Sequence, residues 1–266
     1  MEIWDHGKLT VNKAFASLFR QRGWETFASI WVETANAAVA KKMRTDRITL
    51  SFTLDDHGTQ RTFFIKRHIR SSWKEYIKPL LRLTWPILGA RNEWNAILHF
   101  HDADIPTMTP VAIGESGENS FLITEGLDNC TKLSRLGGLD DRRDPETIKR
   151  RRRIIDEVAR IARTMHAAGL HHQDFYLGHL MISQSAPGRI YVIDLGRVQK
   201  HSTLARRWIV KDLAQLDFSA DTTLTEQRRF LRQYLGRPLS RADRRLIRQI
   251  RLKRAAIAQH SNKNKL

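Results

Sequence analysis

His171-His172-Gln173-Asp174-Phe175-Tyr176-Leu177-Gly178-His179, with Val192-Ile193-Asp194-Leu195-Gly196 downstream of it, decides how this chain folds. Leu180, Met181 and Ile182 form an apolar run directly after the first stretch. Val192 and Ile193 form another directly before Asp194, and Pro187-Gly188 between the two runs is a turn signal. The pattern predicts a short β-hairpin with one carboxylate, Asp174, ahead of its first strand and another, Asp194, at the end of its second. A lone His-x-Asp or a lone Asp-Leu-Gly is a weak signal. In this order and at this separation, the two together are a strong one.

Two such carboxylates suit phosphoryl transfer. That reaction needs a group to orient an attacking hydroxyl and accept its proton, and cations to neutralise phosphate oxygens. The residues resemble a protein-kinase catalytic loop, with His172-Gln173-Asp174 for His-Arg-Asp, His179 where Asn is usual, and Asp194-Leu195-Gly196 for Asp-Phe-Gly. Asp174 is the candidate catalytic base. Asp194 is the candidate metal ligand, because Mg²⁺ prefers carboxylate oxygens and substrate phosphates. His179 is a second candidate ligand, although imidazole matches softer metals better than Mg²⁺.

Upstream, residues 47–54 alternate Ile48, Leu50, Phe52 and Leu54 with polar neighbours and read as a strand. Asp55-Asp56-His57-Gly58 reads as a hairpin turn, and residues 62–67 as the returning strand ending in Phe64-Ile65-Lys66. Lys66 is the candidate phosphate-contacting lysine. Glu93, in a helical pattern with Trp94, Ile97 and Leu98, is its candidate partner. An exposed lysine at a strand end is the alternative. Residues 120–127 read as an apolar strand ending in Glu125-Gly126-Leu127, where the Glu125 carbonyl and the Leu127 amide would meet adenine; an ordinary core strand reads equally well. A first strand is expected through Ile30, Trp31 and Val32. No Gly-x-Gly-x-x-Gly follows it before Leu54, so no glycine loop is there to approach phosphate closely. Downstream, residues 207–214 open a helix in which Asp212 would accept backbone amides of the catalytic loop, or would simply start the helix. His172 and Asp212 are thus the candidate supports of the loop.

Taken together, Phe64-Ile65-Lys66, Pro86-Ile87-Leu88-Gly89-Ala90-Arg91-Asn92-Glu93-Trp94, the stretch from His172 to His179, Val192-Ile193-Asp194-Leu195 and Lys211-Asp212-Leu213-Ala214 resemble the lipopolysaccharide kinase (Kdo/WaaP) family of Gram-negative bacteria. The resemblance is nearest to the core heptose kinases, whose type His179 matches. It implies an α+β, protein-kinase-like two-lobed fold, with a β-rich small lobe at 1–126 and a mostly helical lobe at 127–266. It also implies ATP and Mg²⁺ as cofactors and a heptose of the lipid A–core oligosaccharide as acceptor. Gln173 departs from the arginine usual in the loop, and the first forty residues match poorly. A kinase for Kdo, another small molecule or protein is the alternative. So is an inactive kinase-like module binding RNA or membrane, but such modules usually lose one of the candidate groups and this chain keeps Lys66, Asp174 and Asp194.

The 266 residues suit one two-lobed catalytic unit, and a single cysteine, Cys130, excludes an internal disulfide. No apolar run approaches the roughly 20 residues of a membrane span, and the start shows no secretory signal. The formal net charge of +18 calls for an anionic partner. Basic clusters lie at Lys149-Arg150-Arg151-Arg152-Arg153 and from Arg241 to Arg254, where Leu246, Ile247, Ile250 and Ile257 interleave at helical spacing. Residues 137–153 read as a flexible insert. Residues 73–85 mix aromatics, leucines and Lys/Arg in the manner of an interfacial helix. The anionic inner-membrane surface is therefore the expected platform, with the chain cytoplasmic and peripheral to that membrane. Nucleic acid is disfavoured because no aromatic lies close to the run at 149–153.

Overall fold

In a computed structural model, residues 1–36, 38–44, 47–69, 89–186 and 188–263 are described, with 36, 38–44 and 263 as backbone alone. The interfacial-helix reading of 73–85 lies outside these residues, as does Pro187 of the expected turn. The chain forms two compact units. The first comprises Met1–Leu98 and Met108–Asp128; the second comprises His99–Thr107 and Asn129–Leu266.

The first unit is built on a seven-stranded antiparallel sheet. Its strands are β1 (Glu2–Trp4), β2 (Leu9–Val11), β3 (Ala38–Arg44), β4 (Arg47–Asp56), β5 (Thr59–His68), β6 (Pro110–Ser116) and β7 (Asn119–Glu125), in the order β1-β2-β6-β7-β5-β4-β3. The β4–β5 hairpin turns through His57 and Gly58, both at positive φ (53° and 82°), the backbone that a two-residue turn between twisted strands requires. Asp55 caps it by accepting the Gly58 amide at 2.9 Å. Alternation along the strands buries Leu50, Leu54, Phe63 and Ile65 with Leu9, Val11, Phe121 and Ile123 in one core.

Two short helices, α1 (Ala16–Gln21) and α2 (Phe27–Glu33), pack Phe19, Phe27 and Ile30 into that core. The expected strand through Ile30, Trp31 and Val32 is thus a helix. Its start is fixed by a reciprocal cap in which Thr26 Oγ1 accepts the Ser29 amide (3.1 Å) and Ser29 Oγ accepts the Thr26 amide (3.3 Å). Phe27, Ile30 and Trp31 recur at helical spacing, and Phe27 stacks on both Trp31 and Phe121.

The helix α3 (Arg91–Asp102) precedes β6. The second unit continues with β8 (Cys130–Lys132), α4 (Pro145–Ala167), β9 (Leu170–His171), β10 (Leu180–Ser183), β11 (Ile190–Val192), β12 (Gln199–Lys200), α5 (Arg206–Ser219), α6 (Leu224–Leu235) and α7 (Arg244–Lys263). The expected flexible insert at 137–153 is helical from Pro145, with Asp144 capping α4 by accepting the Thr147 amide at 2.7 Å. Within it the basic run exposes Lys149, Arg150, Arg152 and Arg153 and turns one member inward. Arg151 is mostly buried and forks onto Glu226 of α6 (2.5 and 3.1 Å). Burial alone would raise the Glu226 carboxyl, but Arg151 and the Thr223 cap hold it down at about 2.

Small sheets carry the loops. β10 pairs with β11 and with β8, and β12 pairs with β9. Val192 is locked from the other side: its amide donates to the Pro106 carbonyl (2.9 Å) and its carbonyl accepts from Thr107 Oγ1 (2.6 Å). Gly169, at φ +74°, turns the chain from α4 into β9, where a Cβ would lie 2.1 Å from the His201 carbonyl oxygen. Only glycine fits there.

Candidate active site

The catalytic-loop stretch leaves β9 and reaches β10 through one short turn, and β11 returns to Asp194. The expected hairpin is therefore present, with Leu180 opposite Val192 and Ile182 opposite Ile190. Buried Leu180, Ile182, Ile190 and Val192 hold it in the core of the second unit, so Asp174 and Asp194 both extend from a fixed ribbon.

Asp212 sits in the middle of α5 rather than at its start, and it is fully buried. Its two oxygens accept the backbone amides of His172 (2.7 Å) and Gln173 (2.9 Å). His166 Nε2 is 3.4 Å from the same carboxylate, and His166 Nδ1 is 2.9 Å from the Tyr234 hydroxyl. The assignment that satisfies every group has Tyr234 donating to Nδ1 and Nε2–H donating to Asp212. Burial pushes the Asp212 carboxyl up, but the hydrogen bonds from His166 and the His172 amide turn the balance and hold it below its ordinary value. Burial also raises the Tyr234 phenol, which keeps it a donor. Gln215 braces the next residues, accepting the Phe175 amide (3.1 Å) and donating to the Gln173 carbonyl (2.6 Å).

His172 is buried and held neutral, since burial lowers its basicity more than the nearby carboxylates restore it. Its Nε2–H donates to the Ile193 carbonyl (3.1 Å), so Nδ1 is left to accept the Asp174 amide (3.3 Å). One ring thereby ties the residue before Asp194 to the backbone of Asp174. His179 makes a second tie. Its Nδ1–H donates to the Asp174 carbonyl at 2.7 Å, and its Nε2 lies 3.6 Å from Asp194 Oδ2. Asp194 itself takes left-handed backbone angles (φ 60°, ψ 56°), which an Asp tolerates better than most residues.

A cation beside Asp194 fits these donors. The carboxylate is partly exposed, and a histidine whose Nδ1–H is fixed on a carbonyl offers its Nε2 lone pair in the way that metal-bound histidines do. Among the described residues there is no group of three or more His, Cys, Asp or Glu that would hold a metal unaided. The fit is to a hard ion that takes most of its oxygens from nucleotide phosphates and water.

In the first unit, Lys66 on β5 and Glu93 on α3 form an ion pair, Nζ to Oε1 at 2.5 Å, and Arg47 of β4 reaches Glu93 Oε2 at 3.3 Å. Glu93 is almost fully buried, and the two ion pairs offset the cost of burying its carboxylate. Glu125 ends β7. Its side chain takes the Arg61 guanidinium at 2.9 and 2.6 Å, and the next amide, of Gly126, donates to the Thr62 carbonyl. Leu127 follows, half-buried.

Sequence reasoning missed three groups. Arg197 NH1 meets both oxygens of Asp174 at 3.0 Å each. The His166–Tyr234 pair underlies Asp212, and Gln215 braces the loop. The sequence held a signal for Arg197 alone, through its place just after Asp194-Leu195-Gly196.

Comparison with known proteins agrees with this geometry. The profile of the family described as lipopolysaccharide kinase (Kdo/WaaP) matches residues 30–254. The chain is 37% identical over 236 residues to the lipopolysaccharide core heptose(I) kinase WaaP of Pseudomonas aeruginosa, covering 81% of this chain and 86% of that protein. It is 38% identical over 231 residues to the protein of the same name from Escherichia coli K12, covering 82% and 84%. A solved structure of WaaP in complex with acyl carrier protein aligns over 97% of this chain and 98% of its own, at 30% identity and a TM-score of 0.67. The fold is accordingly protein-kinase-like, with a β-rich first unit and a helical second one.

Proposed function

The chain belongs to the lipopolysaccharide kinase (Kdo/WaaP) family, and from that premise we propose that it transfers the γ-phosphoryl group of ATP to a heptose hydroxyl of the lipopolysaccharide inner core. The observation that carries the proposal is His179, which ties the Asp174 backbone (2.7 Å) to a position 3.6 Å from the Asp194 carboxylate. The two carboxylates expected to serve one phosphoryl group are thereby joined through a single ring. The names of the similar proteins favour heptose over Kdo as acceptor.

Asp174 orients the acceptor hydroxyl and takes its proton as the hydroxyl oxygen bonds to the γ-phosphorus. The bond from that phosphorus to the β–γ bridging oxygen breaks, and ADP leaves with the electron pair. Asp194, with His179 beside it, would hold Mg²⁺, which when bound neutralises phosphate oxygens. Lys66, steadied by Glu93, contacts the phosphates. The Glu125 carbonyl and the Leu127 amide meet the adenine edge. His172 and Asp212 keep Asp174 in position and touch neither substrate.

The net charge of +18 supports a peripheral seat on the cytoplasmic face of the inner membrane, where anionic lipid and the nascent core are presented together. No described helix is long and apolar enough to cross a membrane. Flotation with anionic vesicles at low salt, lost at high salt, is the expected result; equal binding to neutral vesicles would refute the electrostatic seat. Acyl carrier protein, the partner in the solved relative, is proposed as a partner here too. Co-elution of the two purified proteins tests this.

Mass spectrometry of core oligosaccharide from cells with and without this protein tests the acceptor. A single phosphate missing from a heptose is expected, and an unchanged core would refute the assignment.

A further inference from the structure

Arg197 pairs with the proposed base, and the contact is an odd one for a working enzyme. One nitrogen, NH1, engages both Asp174 oxygens at 3.0 Å each. An ionised carboxylate has about four lone-pair sites, so the contact occupies two of them on the group that must receive the acceptor's proton. The pair is also loose. The Arg197 side chain is 56% exposed and that of Asp174 27%. An ion pair so open to water shifts an equilibrium by less than about tenfold.

The main chain beneath is firm. Gln173 Nε2 donates to the Arg197 carbonyl at 2.8 Å, and Lys211 Nζ donates to Gln173 Oε1 at 3.3 Å. Gln173, at φ +70°, is held by Asp212 and Gln215, so the root of Arg197 is fixed while its guanidinium is free to swing. Lys211 adds a second cation nearby: burial, and next the charge of Arg197, lower its ammonium against the opposing pull of Asp174 and Asp212. Among the described residues Arg197 uses no guanidinium nitrogen but NH1 in hydrogen bonding, which leaves a face able to take an oxyanion bidentately.

We infer that Arg197 is a specificity-determining residue: it rests on Asp174 until an oxyanion substituent of the acceptor glycan, a carboxylate or a phosphate, draws the guanidinium away and leaves the carboxylate open to the hydroxyl. The inference rests on the proposed kinase reaction. Under it, an acceptor without negative charge both binds less well and fails to clear the base.

The test uses core oligosaccharide from cells lacking this kinase in three forms: intact, with its carboxyl groups amidated, and phosphatase-treated. Wild type, Arg197→Gln and Arg197→Lys are compared on each, with melting curves and nucleotide binding to establish that the variants fold. For wild type, kcat/KM is expected to fall roughly 10- to 100-fold on whichever treatment removes the recognised oxyanion, the range of a charge-assisted hydrogen-bond pair. Arg197→Gln is expected to be slower on the intact form and to discriminate less than about threefold between forms, with the loss in both kcat and KM. Arg197→Lys is expected to recover part of the discrimination. Wild type indifferent to both treatments, or Arg197→Gln slowed by one factor on all three forms, would overturn the inference alone. No transfer by wild type to any form would overturn the heptose reading and this inference with it.

Discussion

Replacing Asp212 by Asn changes one atom and should loosen the whole catalytic loop. The carboxylate accepts two backbone amides, from His172 at 2.7 Å and Gln173 at 2.9 Å, and faces His166 at 3.4 Å. An Asn offers one oxygen and one NH₂. Whichever way it lies, one buried backbone N–H then confronts another donor and loses its acceptor. Losing a charge-assisted hydrogen bond is worth about 1.5–3 kcal/mol, and stranding a buried donor adds roughly 1–3 kcal/mol, so a net cost of about 3 kcal/mol is a conservative sum. For a domain of this size that lowers Tm by roughly 5–10 °C. Because the stranded amide lies within two residues of Asp174, turnover should fall about 10²-fold even at temperatures where the variant is folded. Differential scanning calorimetry gives the first quantity, and single-turnover transfer to core oligosaccharide gives the second. Nucleotide affinity should change less than threefold, since Asp212 touches no nucleotide group. A variant that melts within 1 °C of wild type and turns over normally would show that the Asp212 bonds do not hold the loop.

Asp174→Asn should abolish most turnover, by about 10³-fold, while leaving nucleotide affinity intact; near-normal transfer measured with radiolabelled ATP would show that the base is elsewhere. Gly169→Ala forces a Cβ to 2.1 Å from the His201 carbonyl oxygen at φ +74°, so a loss of at least ~3 kcal/mol in urea unfolding, or no soluble protein, is expected. Acid should weaken the second unit through His171, which is buried between Trp208 and His201 and lowered to about 4, chiefly by burial. Its folded value lies below the unfolded one of about 6.5, so its contribution is whole above pH 6.5 and is lost as pH falls toward 4, up to about 3 kcal/mol in all. Urea midpoints between pH 7 and pH 4 should show that slope, and His171→Phe should reduce it to the part that buried His172 contributes.

The parts of the site that were legible in the sequence are those where local pattern and chemistry coincide. The hairpin from Leu180 to Val192 is short, apolar on its buried face and bounded by the two carboxylates, so few alternatives compete. The β4–β5 hairpin carries its own turn chemistry at His57-Gly58. Ile30-Trp31-Val32 misleads because three apolar residues do not distinguish strand from helix. The discriminating residue, Phe27, lies outside that window, and the cap Thr26-x-x-Ser29 is a weak form of its motif. The run at 149–153 looks like one basic surface, but its central Arg151 is mostly buried against Glu226, 75 positions away, and no local reading finds that partner. His166 and Tyr234, 68 positions apart, escape for the same reason: neither has a motif, and only the packing of α4 against α6 brings them under Asp212.

That last pairing bears on incomplete copies of the gene. A product ending after α5 would still encode Lys66, Glu93, Asp174, Asp194 and Asp212, and a motif search would score it as intact. It would nevertheless lack the phenol that orients His166, and with it the final prop behind the loop. Frameshifts late in the reading frame should therefore behave as loss-of-function alleles, although the proposed base, metal ligands and phosphate-contacting lysine are still translated.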